Sequence, residues 1–228
     1  MSDVPSHIGF IVDGNRRWAK ERGLDGYDGH EAGFEVLKTV LIETLNRGVG
    51  YVSAYVFSTE NWHRPKTEIY YLMRMFIKCL EDNEQLFHRE GVRVRIVGTR
   101  QGLSKKVVQA IDHIEESTGQ LAKGQLLLCF NYGGHNEVVD AVKQIIESGV
   151  EPGQVTDELV AENLYAPDVP PCDLVVRTGG EKRLSNFMMW RSTYSELMFV
   201  DKYWPDMTND DVTIILDEYN ARRRRFGK

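Results

Sequence analysis

Six short apolar runs alternate along the chain with longer stretches in which apolar residues recur every three or four positions. The runs cover residues 8–12, 51–57, 92–97, 126–131, 173–177 and 197–200; rich in β-branched and aromatic residues, they predict strands. Between them the spacing predicts helices over 31–46, 68–88, 104–121, 136–147 and 157–163, with a last one over 209–224. A charged helical segment is also expected directly after Asp13. Strands that alternate with helices imply a single α/β domain over residues 1–228, with a mainly parallel six-stranded sheet flanked by helices. No repeat, low-complexity tract or long linker interrupts the series, and Pro167, Pro170 and Pro171 mark a loop before the fifth strand.

Composition narrows the class. The 228 residues are 42% hydrophobic and 27% charged, as in ordinary globular domains. The net charge of −6 argues against a general nucleic-acid binder, and the basic run Arg222 to Arg225 reads as cations at the end of the final helix. Cys79, Cys129 and Cys172 form no CxxC pair, so neither a disulfide framework nor a zinc site is expected, and a reducing cytoplasm fits. No apolar run approaches a membrane span and no signal segment is legible, so any membrane contact is expected to be peripheral.

Ligands of open α/β sheets bind beyond the carboxyl ends of the strands, so polar clusters just after strands carry information. Four qualify: Asp13-Gly14-Asn15-Arg16-Arg17, then Ser58 to Pro65, then Asn131-Tyr132-Gly133-Gly134, then Arg177 to Asn186. All four are expected on one rim. In the first, two arginines beside a helix start suit a phosphate, and the carboxylate of Asp13 among them suits a Mg²⁺ ion held jointly with phosphate oxygens. Read alone, the cluster favours the simpler account, Asp13 as a helix cap with solvated arginines. In the fourth, Arg177, Arg183 and Ser185 around a Gly-Gly turn read as a second anion pocket. Neither GxxxxGK[ST] nor GxGxxG occurs, which weighs against nucleotide hydrolysis and hydride transfer. Residues 68–88 carry an apolar stripe of Ile69, Leu72, Met73, Phe76, Leu80 and Phe87, widened by Met75 and Ile77; such a stripe is ordinarily core, though it also suits the wall of a hydrophobic tunnel.

These motifs together resemble the cis-prenyltransferases of the undecaprenyl diphosphate synthase family. The match runs from His7 to Gly227 through Asp13-Gly14-Asn15-Arg16-Arg17-Trp18-Ala19, Gly29-His30, Phe57-Ser58-Thr59-Glu60-Asn61-Trp62 with Arg64-Pro65, Asn131-Tyr132-Gly133-Gly134, Arg177-Thr178-Gly179-Gly180-Glu181, Arg183-Leu184-Ser185-Asn186-Phe187, Tyr194-Ser195-Glu196-Leu197, Trp204-Pro205-Asp206 and Arg225-Phe226-Gly227. The resemblance implies a Mg²⁺-dependent condensation of isopentenyl diphosphate with an allylic diphosphate such as farnesyl diphosphate, each step making a cis double bond, in a cytoplasmic homodimer. It further implies that Gly14, Asn15, Arg16, Arg17 and His30 hold the allylic diphosphate, and that Arg177, Arg183, Leu184 and Ser185 hold isopentenyl diphosphate. Asp13 and Glu196 become metal-associated carboxylates, with Asp13 and Asn61 catalytic and Arg64 assisting proton removal; Trp18, Ser58, Thr59, Glu60 and Trp62 border the hydrocarbon tunnel. The aspartate-rich DDxxD motif of trans-type synthases is absent.

Two positions depart from the family pattern. Where many members carry an arginine a few residues before Gly29-His30, this chain has Gly26, and where many bacterial members have glycine it has Arg16. One phosphate contact is thus expected to have moved to Arg16. Val56 stands where long-chain synthases often have alanine, which predicts a medium-chain or shorter product. Rival readings remain open at this point: a synthase of short or irregular prenyl diphosphates, a noncatalytic subunit of a heteromeric prenyltransferase, and a phosphometabolite-binding protein without turnover.

Overall fold

The computed structural model describes residues 4–222; Arg223 to Lys228, including the Arg225-Phe226-Gly227 motif and the end of the predicted last helix, lie outside the described residues. Six parallel strands, β1 (His7–Ile11), β2 (Tyr51–Ser58), β3 (Val92–Val97), β4 (Gly124–Tyr132), β5 (Leu174–Arg177) and β6 (Glu196–Phe199), form one sheet in the order β3-β4-β2-β1-β5-β6. Seven α-helices connect them: α1 (Asn15–Glu21), α2 (Gly26–Asn46), α3 (Lys66–Glu90), α4 (Lys105–Ser117), α5 (Gly134–Glu147), α6 (Asp157–Glu162) and α7 (Asn209–Ala221). The predicted alternation is therefore present in full. Helix α2 begins five residues before its predicted start, because Asp25 accepts from the amide of Tyr27 while Asp28 reaches back to the amide of Asp25, a reciprocal cap that satisfies two N–H groups. No helix among the described residues is long and apolar enough to cross a membrane.

Side chains alternate across the sheet and build two cores. Ile8, Phe10, Val52, Ala54, Val94, Leu126, Leu128 and Val176 face α2, α3, α4 and α7, where Leu41, Phe76, Leu80, Ile111 and Ile215 close the larger core. Tyr55, Leu127, Cys129 and Val175 face the other way, toward Phe187 and Met188. The apolar stripe of α3 is mostly this core, since Leu72, Phe76, Leu80 and Phe87 are all buried.

The alternation breaks once, and at the functional rim. Tyr55 pairs with Cys129 but Phe57 with Phe130, leaving Val56 as an extra residue; Ser58 then pairs with Tyr132, leaving Asn131 as the compensating one. Each irregularity reverses the facing of the residues beyond it on its strand. Phe57 thus joins the larger core, 5.2 Å from the ring of Phe130, while Tyr132 turns into the smaller one.

Candidate active site

Strand β1 ends at Ile11, and Asp13 comes next but one at the carboxyl rim, where the amide of Trp204 donates to its carbonyl at 3.0 Å and its own amide bonds Thr178 Oγ1 at 3.0 Å. Gly14 then starts α1 with φ of +110°, a conformation that side chains rarely adopt, and an added Cβ would lie 2.6 Å from the Tyr203 ring. Helix α1 lies so close to α2 that a Cβ at Gly29 would stand 2.1 Å from the carbonyl of Asn15. These close approaches set where Asn15, Arg16 and Arg17 project.

The Asp13 carboxylate sits between two guanidinium groups. Oδ2 accepts from Arg177 Nη2 at 2.8 Å, and Oδ1 lies 3.2 Å from Arg17 Nη2. Arg177 is buried and organises the loop after β5, donating through Nη1 to Ser185 Oγ at 2.8 Å and to the carbonyl of Arg183 at 2.5 Å. Arg183 points outward, 60% exposed, and pairs with Glu181, which Arg17 approaches at 3.6 Å. The two anion pockets expected from the sequence therefore form one network centred on Asp13. Leu184 packs against the smaller core beneath this loop.

A cleft of about 790 Å³ opens in front of Asp13, lined by Gly14, Asn15, Arg16, Arg17, Lys20, Gly26, His30 and Arg64 among others. His30 enters it from α2. Burial, reinforced by the Arg64 charge, lowers the His30 pKa to about 4, so its imidazole is neutral near pH 7. Its Nε2 is 3.6 Å from Glu68 Oε1, too long for a hydrogen bond, and has no partner among the described residues. Glu68 instead accepts from Arg64 Nη1 at 3.0 Å, which fixes Arg64 at the cleft wall. Arg16 lies over Gly26: a Cβ there would be 3.9 Å from Arg16 Cγ and 4.0 Å from Nε.

The segment after β2 forms a 3₁₀ turn, Thr59–His63, in which Asn61 Oδ1 accepts from the Ser58 amide at 3.1 Å. Trp62 donates to Asn131 Oδ1 at 2.7 Å and sets its ring edge-on to Phe57. Glu60 accepts from Asn186 Nδ2 at 2.9 Å, and Thr59 Oγ1 lies 3.3 Å from Asn136 Oδ1. Asn186 and Asn131 are the functional positioners that sequence reasoning left unassigned. Their one legible signal was membership in the motifs after β4 and β5.

Two expected site residues stand elsewhere. Trp18 donates to Asp206 Oδ1 at 2.7 Å, under the Arg22 guanidinium. Glu196 opens β6 opposite Leu174 and pairs with Arg222 at 3.2 Å, whereas Asp13 lies past the other end of parallel β1. Within one protomer the two carboxylates thus lie at opposite ends of the sheet and are not brought together. Among the described residues no group of three or more His, Cys, Asp or Glu side chains converges on a metal position.

Comparisons with known proteins agree with this geometry. Residues 11–227 match the family model described as "Putative undecaprenyl diphosphate synthase". The chain is 45% identical to an isoprenyl transferase of Thermotoga maritima, covering 98% of this chain and 97% of that one. Lavandulyl diphosphate synthase from Lavandula x intermedia, solved in complex with dimethylallyl diphosphate, superposes with a TM-score of 0.96 at 28% identity, covering 100% of both chains. A "probable undecaprenyl diphosphate synthase" from Campylobacter jejuni gives 0.84 at 30% identity, covering 98% of this chain and 99% of that one. With the fold, the rim motifs and these relatives in accord, the chain belongs to the undecaprenyl diphosphate synthase family and is a prenyltransferase.

Proposed function

We propose that the protein condenses isopentenyl diphosphate with an allylic diphosphate in a cis-type elongation. The observation that carries this reading is the Asp13 carboxylate, clamped between Arg17 and Arg177 at the floor of a cationic cleft whose other wall presents the unpartnered Nε2 of His30. In the reaction the allylic C1–O bond breaks, diphosphate leaves with the electron pair, C1 bonds to C4 of isopentenyl diphosphate, and a proton is lost from C2. Arg16, Arg17 and the α1 amides following Gly14 and Asn15 receive the charge that builds on the leaving diphosphate. Neutral His30 donates or accepts one hydrogen bond there, without adding charge. Arg177, Ser185 and Arg183 orient isopentenyl diphosphate from the adjoining loop, and Asn61 and Arg64 lie on the side from which the proton departs.

Mg²⁺ fits this set when phosphates complete its shell. Asp13 offers one carboxylate, and among the described residues no group of three or more candidate ligands converges, which suits an ion held by a carboxylate together with substrate oxygens. Bound so, it supplies Lewis-acid neutralisation of the leaving diphosphate. Asp13 would hold it; Glu196 would do so only where another protomer brings it close. The exposed apolar stripe of Val139, Val142 and Ile146 on α5 and the exposed Leu197 on the edge strand support a homodimer. A cytoplasmic enzyme with peripheral membrane contact through its product completes the reading.

A second reading, synthesis of short or irregular products, draws support from the superposition with a lavandulyl diphosphate synthase bound to dimethylallyl diphosphate. The test is turnover of purified protein with isopentenyl diphosphate, Mg²⁺ and dimethylallyl, geranyl or farnesyl diphosphate, comparing wild type with Asp13→Ala. Loss of product in a protein that still folds is expected, with a lowered melting temperature, because the buried Arg177 loses its carboxylate partner while the Asp13 backbone bonds remain. An Asp13→Ala protein within a few-fold of wild type would refute the assignment, a wild type inert with every primer would point to a noncatalytic subunit or binder, and a branched product would establish the irregular synthase.

A further inference from the structure

Tyr203, in the segment that follows β6, has no part in the condensation as described above. Its ring is seated against the start of α1. A Cβ at Gly14 would stand 2.6 Å from Tyr203 Cδ1, 3.0 Å from its Cβ and 3.1 Å from its Cα, and the next amide along, that of Trp204, donates to the Asp13 carbonyl at 3.0 Å. The hydroxyl reaches the other end of α1, donating to Glu21 Oε1 at 2.6 Å. Between these two anchors the Arg17 guanidinium carbon lies over the ring, 5.5 Å from its centroid. Positions 14, 17 and 21 are three and four residues apart, so they share one face of α1, and Tyr203 meets that face at all three.

Arg17 needs such a hold. Its side chain is 41% exposed and lies 3.2 Å from Asp13 Oδ1 and 3.6 Å from Glu181 Oε1, and exposed ion pairs of this kind restrain a long side chain only weakly. An arginine left free would have to be ordered at the moment a phosphate binds, at a cost in side-chain entropy. An aromatic face restrains it in another way. The ring attracts the cation through its quadrupole and takes up none of the N–H donors, which stay available to phosphate oxygens. Backbone confines the same group from the loop after β5, where a Cβ at Gly179 would stand 2.7 Å from Arg17 Nη2. A diphosphate in the cleft therefore competes with Asp13 and Glu181 for Arg17, but not with Tyr203.

We propose that Tyr203 is a positioning residue for the condensation, its ring holding the Arg17 guanidinium in place at the cleft before the allylic diphosphate arrives. The inference rests on the role given to Arg17 in the condensation proposed above. Tyr203 itself touches no substrate and acts through Arg17.

The experiment compares wild type with Tyr203→Leu, Tyr203→Phe, Arg17→Ala and the double variant Tyr203→Leu/Arg17→Ala. Dissociation constants of dimethylallyl and farnesyl diphosphate are measured by calorimetry, and kcat and both KM values by turnover with isopentenyl diphosphate and Mg²⁺. Tyr203→Leu keeps apolar bulk beside Gly14 and removes the π face. It is expected to weaken both allylic diphosphates about fivefold, the loss of one exposed cation–π contact, while KM for isopentenyl diphosphate stays within about twofold. Tyr203→Phe keeps the ring and gives up only the bond to Glu21, and its allylic affinities are expected within about twofold of wild type. Without Arg17 the ring has no cation to hold, so Tyr203→Leu is expected to add no further loss to Arg17→Ala. An unchanged affinity in Tyr203→Leu, a Tyr203→Phe protein as impaired as Tyr203→Leu, or a Tyr203→Leu effect of equal size with and without Arg17 overturns the proposal. The last of these is what a general loosening of the Asp13 loop would produce. Should Tyr203→Leu fail to fold, Tyr203→Met takes its place in the cycle. If wild type binds the diphosphates but makes no product with any primer, the condensation reading fails instead, and the affinity cycle still decides whether Tyr203 acts through Arg17; a wild type that binds neither diphosphate overturns both.

Discussion

Arg16 and position 26 are direct neighbours in the cleft. A side chain at position 26 would begin 3.9 Å from Arg16 Cγ, an ordinary van der Waals contact, so a guanidinium from α2 would enter the cleft beside the one from α1. On the proposed reading, the cation that many members supply from α2 is supplied here from α1, by Arg16. Arg16→Gly is expected to raise KM for the allylic diphosphate about tenfold, the loss of a charge-assisted contact of ~1.5–3 kcal/mol. Adding Gly26→Arg to that variant should recover most of the loss, while Gly26→Arg alone should not improve on wild type. The check is a double-mutant cycle on KM, and additive effects would show the two positions to be independent. The Arg183 side chain, by contrast, is exposed and pairs with Glu181, so Arg183→Ala is expected to leave the resting fold intact.

At the level of elements, the paired irregularities in β2 and β4 do most to shape the rim. They put Phe57 over Phe130 and Phe76, whose rings stack at 3.7 Å, and they place Asn131 at φ of +51°, where its amide donates to the carbonyls of Thr99 and Gln101 while its oxygen receives Trp62. Val56, the extra residue, is half-buried against the α2–α3 side of the core. Val56→Ala removes two methyl groups from that wall and is expected to lengthen the main product, with initial rates changed less than threefold; product analysis by chain length checks it, and an unchanged distribution would take Val56 out of the length-setting wall. Helix α5 shows a second device. Its N-cap, Gly133, offers no side chain, and Asn186 from the loop after β5 takes over, accepting from the Gly134 amide through its carbonyl and from the His135 amide through Oδ1. The same residue donates to Glu60, so one side chain and its backbone tie the loop after β5 to α5 and to the turn after β2.

Across the whole molecule, a buried histidine ties the strands at the end of the sheet away from the site. His7 is fully buried, bonds the Pro170 carbonyl through Nδ1 at 2.9 Å and Ser53 Oγ through Nε2 at 2.8 Å, and its pKa is lowered to about 4, chiefly by burial. The unfolded chain, with a histidine pKa of about 6.5, takes up the proton first. The stability this group provides is therefore complete above that pH and is lost as pH falls toward 4, with a slope approaching ~1.4 kcal/mol per pH unit for one proton. Urea midpoints between pH 6.5 and 4.5 should show the pH slope of His7→Gln reduced by close to one proton relative to wild type, with the share of His30 remaining. Identical slopes in the two proteins would place the acid sensitivity elsewhere. The same sheet explains why Glu196 is remote from Asp13: parallel strands put every N-terminal residue on one rim and every C-terminal residue on the other.

The sequence by itself determined the six strands, the helices between them and the parallel order of the class, because the periodicities of apolar residues are local and survive without knowledge of neighbours. It also located the cluster of Asp13, Arg17, Arg64 and Arg177, since residues just after parallel strands must share a rim. Tertiary structure alone decided the rest. Asn131 and Asn186 act through left-handed backbone conformations and partners 30 to 126 positions away, and no spacing rule encodes such contacts. The stripe on α3 was legible as core, but not which side chains it meets there, because that depends on the strands and helices lying opposite. The contact between the Tyr27 and Tyr71 rings, with centroids 4.4 Å apart, is illegible in the sequence for the same reason: two tyrosines far apart along the chain meet only where α2 and α3 run side by side.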